Sequence, residues 1–512
     1  MPTFNDYRIR KLNDAPLNPS GSYVFYWMQI SRRMTSNHAL DYAVHMANEL
    51  KHPLVIYEGL RLDYPWANAR HHTFLLQGMK DNYFAAKKLG VNYWPYLETA
   101  SQPARGLLHG IVKNASLIVT DDYPVFIVPQ QSAAVAGKTD VQMVAVDSNC
   151  MIPLELLGEQ VKAAAHIRPR IHRLFVESYG QQATANPLER LVNRSVVAPP
   201  FELWEDWEDP AEVVSMLPID QSVTPVATTA GGAVAAQNAL DYFVTNKLHN
   251  YSEGRNNPDD PARTAASGLS VYLRNGHLAI QDVVNRVLHH DEPWTPDKMN
   301  LANKNKREGY FCGDPNVNSF LDEALTWRDV GYHWHHCRNK QHGIPQVRLV
   351  DLDGETIPTY YDLKSTLPEW AQVTLGKHDR DQRDYTYSLQ EWENSATHDE
   401  LWNAAQTELV TTGKIHNYLR MLWGKKVLEW SPDHQTAYTV LEHLNNKYAL
   451  DGRDPNSYTG ILWCFGLFDR PWAPERQVFG SIRFMSSGNT AKKYKLDGYY
   501  RYVRGLKKRQ SS

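Results

Sequence analysis

Cysteine is scarce and dispersed, with Cys150, Cys312, Cys337 and Cys464 the only four in 512 residues. They form no CxxC pair and stand at no Cys/His spacing suited to a metal, which excludes a disulfide framework and a zinc site. No apolar run approaches the roughly 18 residues that a membrane-spanning helix needs. The opening MPTFNDYRIRKLNDAPLNPSGSY has no apolar core of the kind a secretion signal carries. These absences predict a soluble, cytoplasmic chain with reduced thiols and no membrane partner. A GxGxxG turn is missing after the first apolar run, so any ligand of that region binds without the usual dinucleotide fingerprint. No internal repeat is evident.

What is present begins with length. At 512 residues the chain exceeds what one core supports, so at least two domains are expected. Aromatic residues make up 11 %, with 15 Trp and 28 Tyr, which suits redox relays or base stacking but equally plain packing. The net charge of −3 conceals an asymmetry: residues 411–512 hold 17 Lys and Arg against 8 Asp and Glu, leaving −12 on the first 410. A basic C-terminal portion can supply a phosphate-binding face. For the last ten residues a solvated tail is the simpler account.

From 22 to about 150, the apolar runs SYVFYWMQI, PLVIYEGL, VNYWPYL, SLIVTDD and VQMVAVD read as buried strands. Helical patterns at 37–50, 70–89, 103–114 and 129–137 separate them. Such alternation predicts a doubly wound parallel sheet, an α/β domain over 22–190 behind an N-terminal extension at 1–21. A Pro-, Ala- and Thr-rich stretch, SVTPVATTAGGAVAAQ at 222–237, ends the region read as a linker, 191–235. Beyond it, long helical patterns without credible strands predict an all-α domain at 236–505, then a tail at 506–512.

The segment TTGKIHNYLRMLWGKKVLEW, 411–430, is the densest in chemistry. Trp423 and Trp430 lie seven residues apart, two helical turns or about 10 Å on one face, a spacing that could relay an electron. Asn417 and Arg420 share a face as well and could converge on a planar polar ligand. Spacing alone also allows ordinary core packing. Upstream, NYSEGRNNPDDPARTAASGLSVYL sets small hydroxylated residues ahead of a helical run, a possible phosphate seat or simply an N-cap. Glu323 and Trp327, four apart, could meet one ligand.

The 411–430 block resembles the flavin-pocket helix of the photolyase and cryptochrome family in its class II form, that of the cyclobutane pyrimidine dimer photolyases. A second block agrees with it. In DGRDPNSYTGILWCFGLFDRPWAPERQVFGSIRFM, the residues Gly466, Asp469, Trp472, Glu475-Arg476, Phe479-Gly480, Arg483, Phe484 and Met485 resemble the class hallmark. YWMQISRRMTSNHALDYAVHMANEL resembles the N-terminal domain of the same class, which can hold an antenna chromophore, a deazaflavin or a folate.

The resemblance implies a light-driven carbon–carbon lyase. Excited reduced flavin adenine dinucleotide (FAD) would pass an electron to a cyclobutane dimer flipped out of UV-damaged DNA, and the electron would return after the ring splits. It places Tyr251, Ser267, Gly268, Leu269 and Ser270 on the FAD pyrophosphate and Asn417 and Arg420 on the isoalloxazine. Asp451 would pair with that Arg, and Asn445 would face flavin N5. Glu323 is the implied hydrogen-bonding partner of the dimer base, with Trp327, Met421 and Trp463 packing around it and Arg483 on flanking phosphates. Trp423, Trp402 and Trp430 fall at the positions of the tryptophan triad, in that order outward. Where the class reads Arg-Arg-Glu, this chain has Trp327-Arg328-Asp329, so its local ion pairs differ. A nucleoid-associated monomer is implied for a prokaryotic source. The alternative is a cryptochrome-like blue-light receptor. A repair enzyme for the 6-4 photoproduct would call for pocket histidine chemistry, and no matching His stands out.

Overall fold

The computed structural model describes residues 4–510. Residues 1–3 of the expected extension and 511–512 of the expected tail lie outside the described residues. Two compact units divide the chain: one comprises Met1–Gln160, Ile167–Thr245 and Gly268–Ile344, the other Val161–His166, Asn246–Ser267 and Pro345–Ser512.

The first unit is built on a six-stranded sheet: β1 (Ile9–Lys11), β2 (Tyr23–Trp27), β3 (Leu54–Leu60), β4 (Asn92–Leu97), β5 (Ala115–Asp121) and β6 (Met143–Val146). Their order is β1-β6-β5-β2-β3-β4. All pairings are parallel except β1 against β6. Helices α1 (His38–Leu50), α2 (Ala69–Leu89), α3 (Leu107–Val112) and α4 (Val128–Ala136) alternate with the strands. Strands covered on both faces must be apolar throughout, and β2 is buried at all five positions. Its side chains divide by alternation. Val24 and Tyr26 pack with Ala39, Leu40, Ala43 and Val44 of α1, whereas Tyr23, Phe25 and Trp27 pack with Ile111, Val112 and Ala136. Thus the five expected strands and four helices are present, each within a few residues. The short antiparallel edge strand β1, inside the segment read as an extension, is additional.

Strand order reverses between β2 and β5, the switch point where doubly wound sheets open a crevice. Asp121 ends β5 there. Its carboxylate accepts N–H bonds from Gln29 (2.8 Å), Ile30 (2.8 Å) and Ser31 (3.0 Å), and the Tyr26 hydroxyl (2.9 Å). One side chain thus takes up three successive backbone N–H groups of the loop after β2, and Asn37 Nδ2 adds a bond to the Ser31 carbonyl at 3.0 Å. Gly276 crosses close to the same loop at φ +73°, where a Cβ would stand 1.6 Å from the Ile30 carbonyl oxygen. Only glycine fits. Further along this unit run α5 (Ser270–Arg274), α6 (Pro315–Leu321), a π-helical turn at Asp322–Trp327, and α7 (Arg328–His342).

The second unit is largely helical. It carries α8 (Leu389–Glu393), α9 (Glu400–Thr412), α10 (Asn417–Trp430), α11 (His434–Tyr448), α12 (Pro455–Cys464) and α13 (Asp497–Gln510). Two findings differ from expectation. A hairpin of β7 (Arg348–Leu352) and β8 (Glu355–Thr359) interrupts the region read as free of strands. Its two-residue turn, Asp353-Gly354 with φ +55° and +84°, is the Asp-Gly signal that favours a hairpin. The chain end, read as a solvated tail, continues as α13 to Gln510 with Val503 and Leu506 buried.

Helix α10 packs against α9, α11 and α12. It is buried nearly all round, including Lys425 and Lys426, so it behaves as a central helix rather than an amphipathic surface one. Gly424 permits the close approach of α12, since a Cβ there would meet the Cys464 sulfur at 2.5 Å. Lys425 Nζ caps the contact by donating to the Cys464 carbonyl at 2.6 Å.

Because Asp121 satisfies three backbone donors at once, Asp121→Ala is expected to cost about 2–4 kcal/mol. A urea titration followed by circular dichroism checks this, with a lowered midpoint as the expected outcome.

Candidate active site

In the second unit the expected residues gather along α10 and its neighbours. Arg420 donates from Nη2 to Asp451 Oδ1 at 2.8 Å and from Nη1 to Oδ2 at 3.3 Å, a two-pronged pair across α10 and the loop after α11. Its Nε stays buried without a hydrogen-bond partner. A buried, unsatisfied donor is costly and so marks a position aimed at something else. Asn417 is exposed and donates to Asn256 Oδ1 at 3.1 Å. Asn445 is buried on α11 and donates to Asn446 Oδ1 at 3.3 Å, while Asn446 accepts from the Arg453 N–H. The two adjacent amides thus have separate duties, Asn446 fixing the loop that carries Asp451.

No side chain caps the start of α10. Instead Glu408 of α9 accepts from the His416 N–H at 3.3 Å and from the Tyr499 hydroxyl at 2.7 Å. Burial is the largest influence on this carboxyl and pushes it up to about 7, against the two hydrogen bonds.

The three indoles are all buried, Trp430 included at 4 % exposure. Trp402 and Trp423 stack at 6.4 Å with planes 6° apart. Their N–H groups tie α9 to α10: Trp402 Nε1 donates to the Trp423 carbonyl (3.1 Å), and Trp423 Nε1 to Gln406 Oε1 (2.9 Å). The ring neighbours of Trp430 are Tyr387, Trp392 and His398. Gln406 and Trp392 were missed by sequence reasoning. The first lies one turn from Trp402 on α9, a legible i+4 position; the second sits on another short helix and no spacing points to it.

Of the remaining expected residues in this unit, Met421 and Trp463 are half-buried, the latter edge-on to Phe468 at 5.9 Å. Arg483 is exposed with its guanidinium 5.1 Å from the Trp472 ring. Tyr251 is buried and Ser267 half-buried.

In the first unit, Gly268 takes φ +69° and leads into Leu269 and Ser270 at the start of α5, a helix with no side-chain cap bond. Glu323 and Trp327 lie on the π turn. There Trp327 Nε1 donates to Asp322 Oδ2 at 3.0 Å, an i, i+5 contact that the wider turn permits. Asp322 is the hub, held by Arg168 through Nε (2.7 Å) and Nη2 (3.2 Å), with Arg307 Nε at 3.5 Å. Glu323 is half-buried, with Arg307 Nη2 at 3.7 Å. Next along, Arg328 pairs with the fully buried Asp329 at 2.9 Å and lies over Tyr332 at 4.4 Å. Burial raises the Asp329 carboxyl to about 6.

The raised Glu408 carboxyl gives a signed prediction. Between its ordinary 4.5 and about 7 the folded chain keeps a proton that the unfolded chain releases, so this group's contribution to stability falls as pH rises through that window. Glu408→Gln is expected to flatten the dependence, raising the melting temperature relative to the parent at pH 8 and not at pH 4.5. Thermal melts across that range check it.

No family model matches the chain. Relatives match along its whole length. A deoxyribodipyrimidine photo-lyase of Methanothermobacter thermautotrophicus is 33 % identical over 500 residues, covering 98 % of each chain. The Arabidopsis thaliana protein of the same name is 29 % identical, covering 97 % of this chain and 92 % of its own. That of Potorous tridactylus is 29 % identical, covering 98 % and 85 %. A solved structure, a bacterial class III photolyase from Agrobacterium tumefaciens, shares the fold at TM-score 0.63 and 17 % identity, covering 95 % of this chain and 86 % of that one. With one residue in three shared from end to end, and the sheet unit and helical unit both included in the match, the chain belongs to the deoxyribodipyrimidine photo-lyase family.

Proposed function

We propose that this protein repairs cyclobutane pyrimidine dimers in DNA under near-UV or blue light, as a class II photolyase with FAD as its cofactor. The full-length identity to named photo-lyases carries the reading. The donor set of the second unit fits a flavin: a cation neutralised by Asp451 yet left with an unpartnered Nε–H, beside an exposed amide at Asn417 and a buried one at Asn445. When bound, reduced FAD supplies the photochemistry, donating one electron to the dimer and recovering it.

The chain's residues bind, orient and exclude water. Arg420 and Asn417 hold the isoalloxazine edge, with Asp451 fixing the guanidinium in place. Asn445 offers an amide that both donates and accepts, which tolerates either protonation state of the ring it faces. Tyr251, Ser267, Gly268, Leu269 and Ser270 hold the pyrophosphate. Glu323 hydrogen-bonds a base of the dimer, its carboxylate steadied by Arg307. Trp327, Met421 and Trp463 supply apolar surface that replaces the stacking lost on flipping. Arg483, with the Lys and Arg of the C-terminal portion, takes flanking phosphates. Trp423, Trp402 and Trp430 pass electrons inward to restore the reduced cofactor. The sheet unit is the part that can hold an antenna chromophore, and the alternatives are a deazaflavin, a folate or none. By the same resemblance the protein acts as a cytoplasmic monomer, nucleoid-associated if its source is a prokaryote. No described helix is long and apolar enough to cross a membrane.

Purified protein is expected to be coloured by flavin, with an absorption spectrum that decides the antenna, and to restore thymines in a dimer-containing oligonucleotide only in the light. Arg420→Ala is expected to lose flavin on gel filtration, and Glu323→Ala with Trp463→Ala to abolish repair. Turnover in the dark, or full repair by the double variant, would contradict the assignment; light-driven flavin chemistry without repair would make the protein a receptor.

A further inference from the structure

The ring contacts of the second unit give a role to an indole outside the expected triad. Trp392, on α8, is 1 % exposed. It meets Trp402 edge-on at 4.8 Å and stacks on Trp430 at 6.3 Å with planes 11° apart. Trp402 has Trp423 on its other side at 6.4 Å. Trp392 is therefore the shared neighbour of Trp402 and Trp430, and four indoles form a file of successive ring contacts across α10, α9, α8 and back to α10.

Electron tunnelling decays exponentially with the gap between donor and acceptor, so a route of touching rings outpaces a longer jump that skips one. We propose that Trp392 is the stepping stone between Trp402 and Trp430, making the relay four indoles long. This rests on the reading of Trp423 as electron donor to photoexcited flavin. Each step moves one electron and breaks no bond. Trp423 gives an electron to the flavin, Trp402 reduces the Trp423 radical cation, Trp392 reduces that of Trp402, and Trp430 reduces that of Trp392. The positive charge arrives at Trp430, where an external thiol supplies the electron and sheds its proton to water.

The surroundings suit transient cations. The N–H groups of Trp402 and Trp423 donate to a peptide carbonyl and to a side-chain amide, neither basic enough to remove a proton from an oxidised indole, so both rings stay ready to be refilled. Around Trp430, Lys426 Nζ lies 5.1 Å from the ring centroid, and Glu429 at 2.6 Å from that ammonium offsets its charge. Aromatic packing accounts for burial of the cluster. It does not require that Trp430 reach Trp402 through one intervening indole.

The test uses the flavin-loaded chain and reads flavin absorbance under blue light with a thiol present, together with the transient absorption of tryptophan radical cations. Trp392→Phe, Trp423→Phe and the parent are compared after flavin content and melting temperature establish that each is folded. Loss of photoreduction in Trp392→Phe to the level of Trp423→Phe, with rapid return of the electron to the inner indoles, is the expected result. If Trp423→Phe loses photoreduction and Trp392→Phe keeps the parental rate, the stepping stone is overturned and the relay reading stands. If neither loses it, the relay reading itself fails. Should Trp392→Phe not retain flavin, Trp392→Tyr fills more of the cavity and is read in its place, because a phenol without a base is a poor donor to an indole cation; parental photoreduction in that variant overturns the proposal equally.

Discussion

Two indole hydrogen bonds fasten α9 to α10, and the arrangement of the second unit hangs on them. Trp402 donates into the backbone of α10 and Trp423 donates into a side chain of α9, so each helix fixes the azimuth of the other. With that angle set, Asn417 and Arg420 come off the first turns of α10, the Arg420 guanidinium meets Asp451, and Lys425 faces Cys464 of α12. Burial strengthens the constraint, because an indole N–H deprived of its acceptor in a dry core has no water to turn to. Glu408 completes the frame by accepting the N–H of His416, the N-cap residue of α10.

Much of this was legible in the sequence, for reasons that differ by element. The central strands announced themselves because strands covered on both faces are apolar nearly throughout, as YVFYW is and LVIYEGL is but for Glu58, whose buried carboxylate pairs with Arg32. The Arg420–Asp451 pair was legible only through the family resemblance; the rule that a buried cation needs a partner calls for a carboxylate without saying which. What escaped was either too short or too distant. Strand β1 has three residues, fewer than an alternating pattern needs to show. The hairpin at 348–359 was announced by Asp353-Gly354 but overshadowed by the surrounding helical periodicity. Trp392 joins the other indoles through tertiary packing, and no interval along the chain encodes that. The π turn escaped because i, i+4 spacing looks the same whether the helix is regular or bulged.

Electrostatics in the first unit follow a different plan. Asp322 gathers two arginines and an indole N–H around one carboxylate, and Asp329 a few residues on is held by Arg328 with almost no solvent. Buried charges of this kind contribute less to net stability than to geometry, since each partner removed leaves an uncompensated charge behind. Their effect is to hold a segment in a conformation that its local preferences would not choose.

That conformation is the π turn itself. A π turn amounts to one residue more than a regular helix requires, kept in place as a bulge. In Asp322–Trp327 that extra residue is accommodated where Asp322 is held by its arginines. Loss of any one residue between 322 and 327 would restore the regular ladder and turn α6 by about 100° relative to α7. In an alignment of relatives, a one-residue gap at this point would therefore signify a reoriented Glu323 and not a harmless length difference.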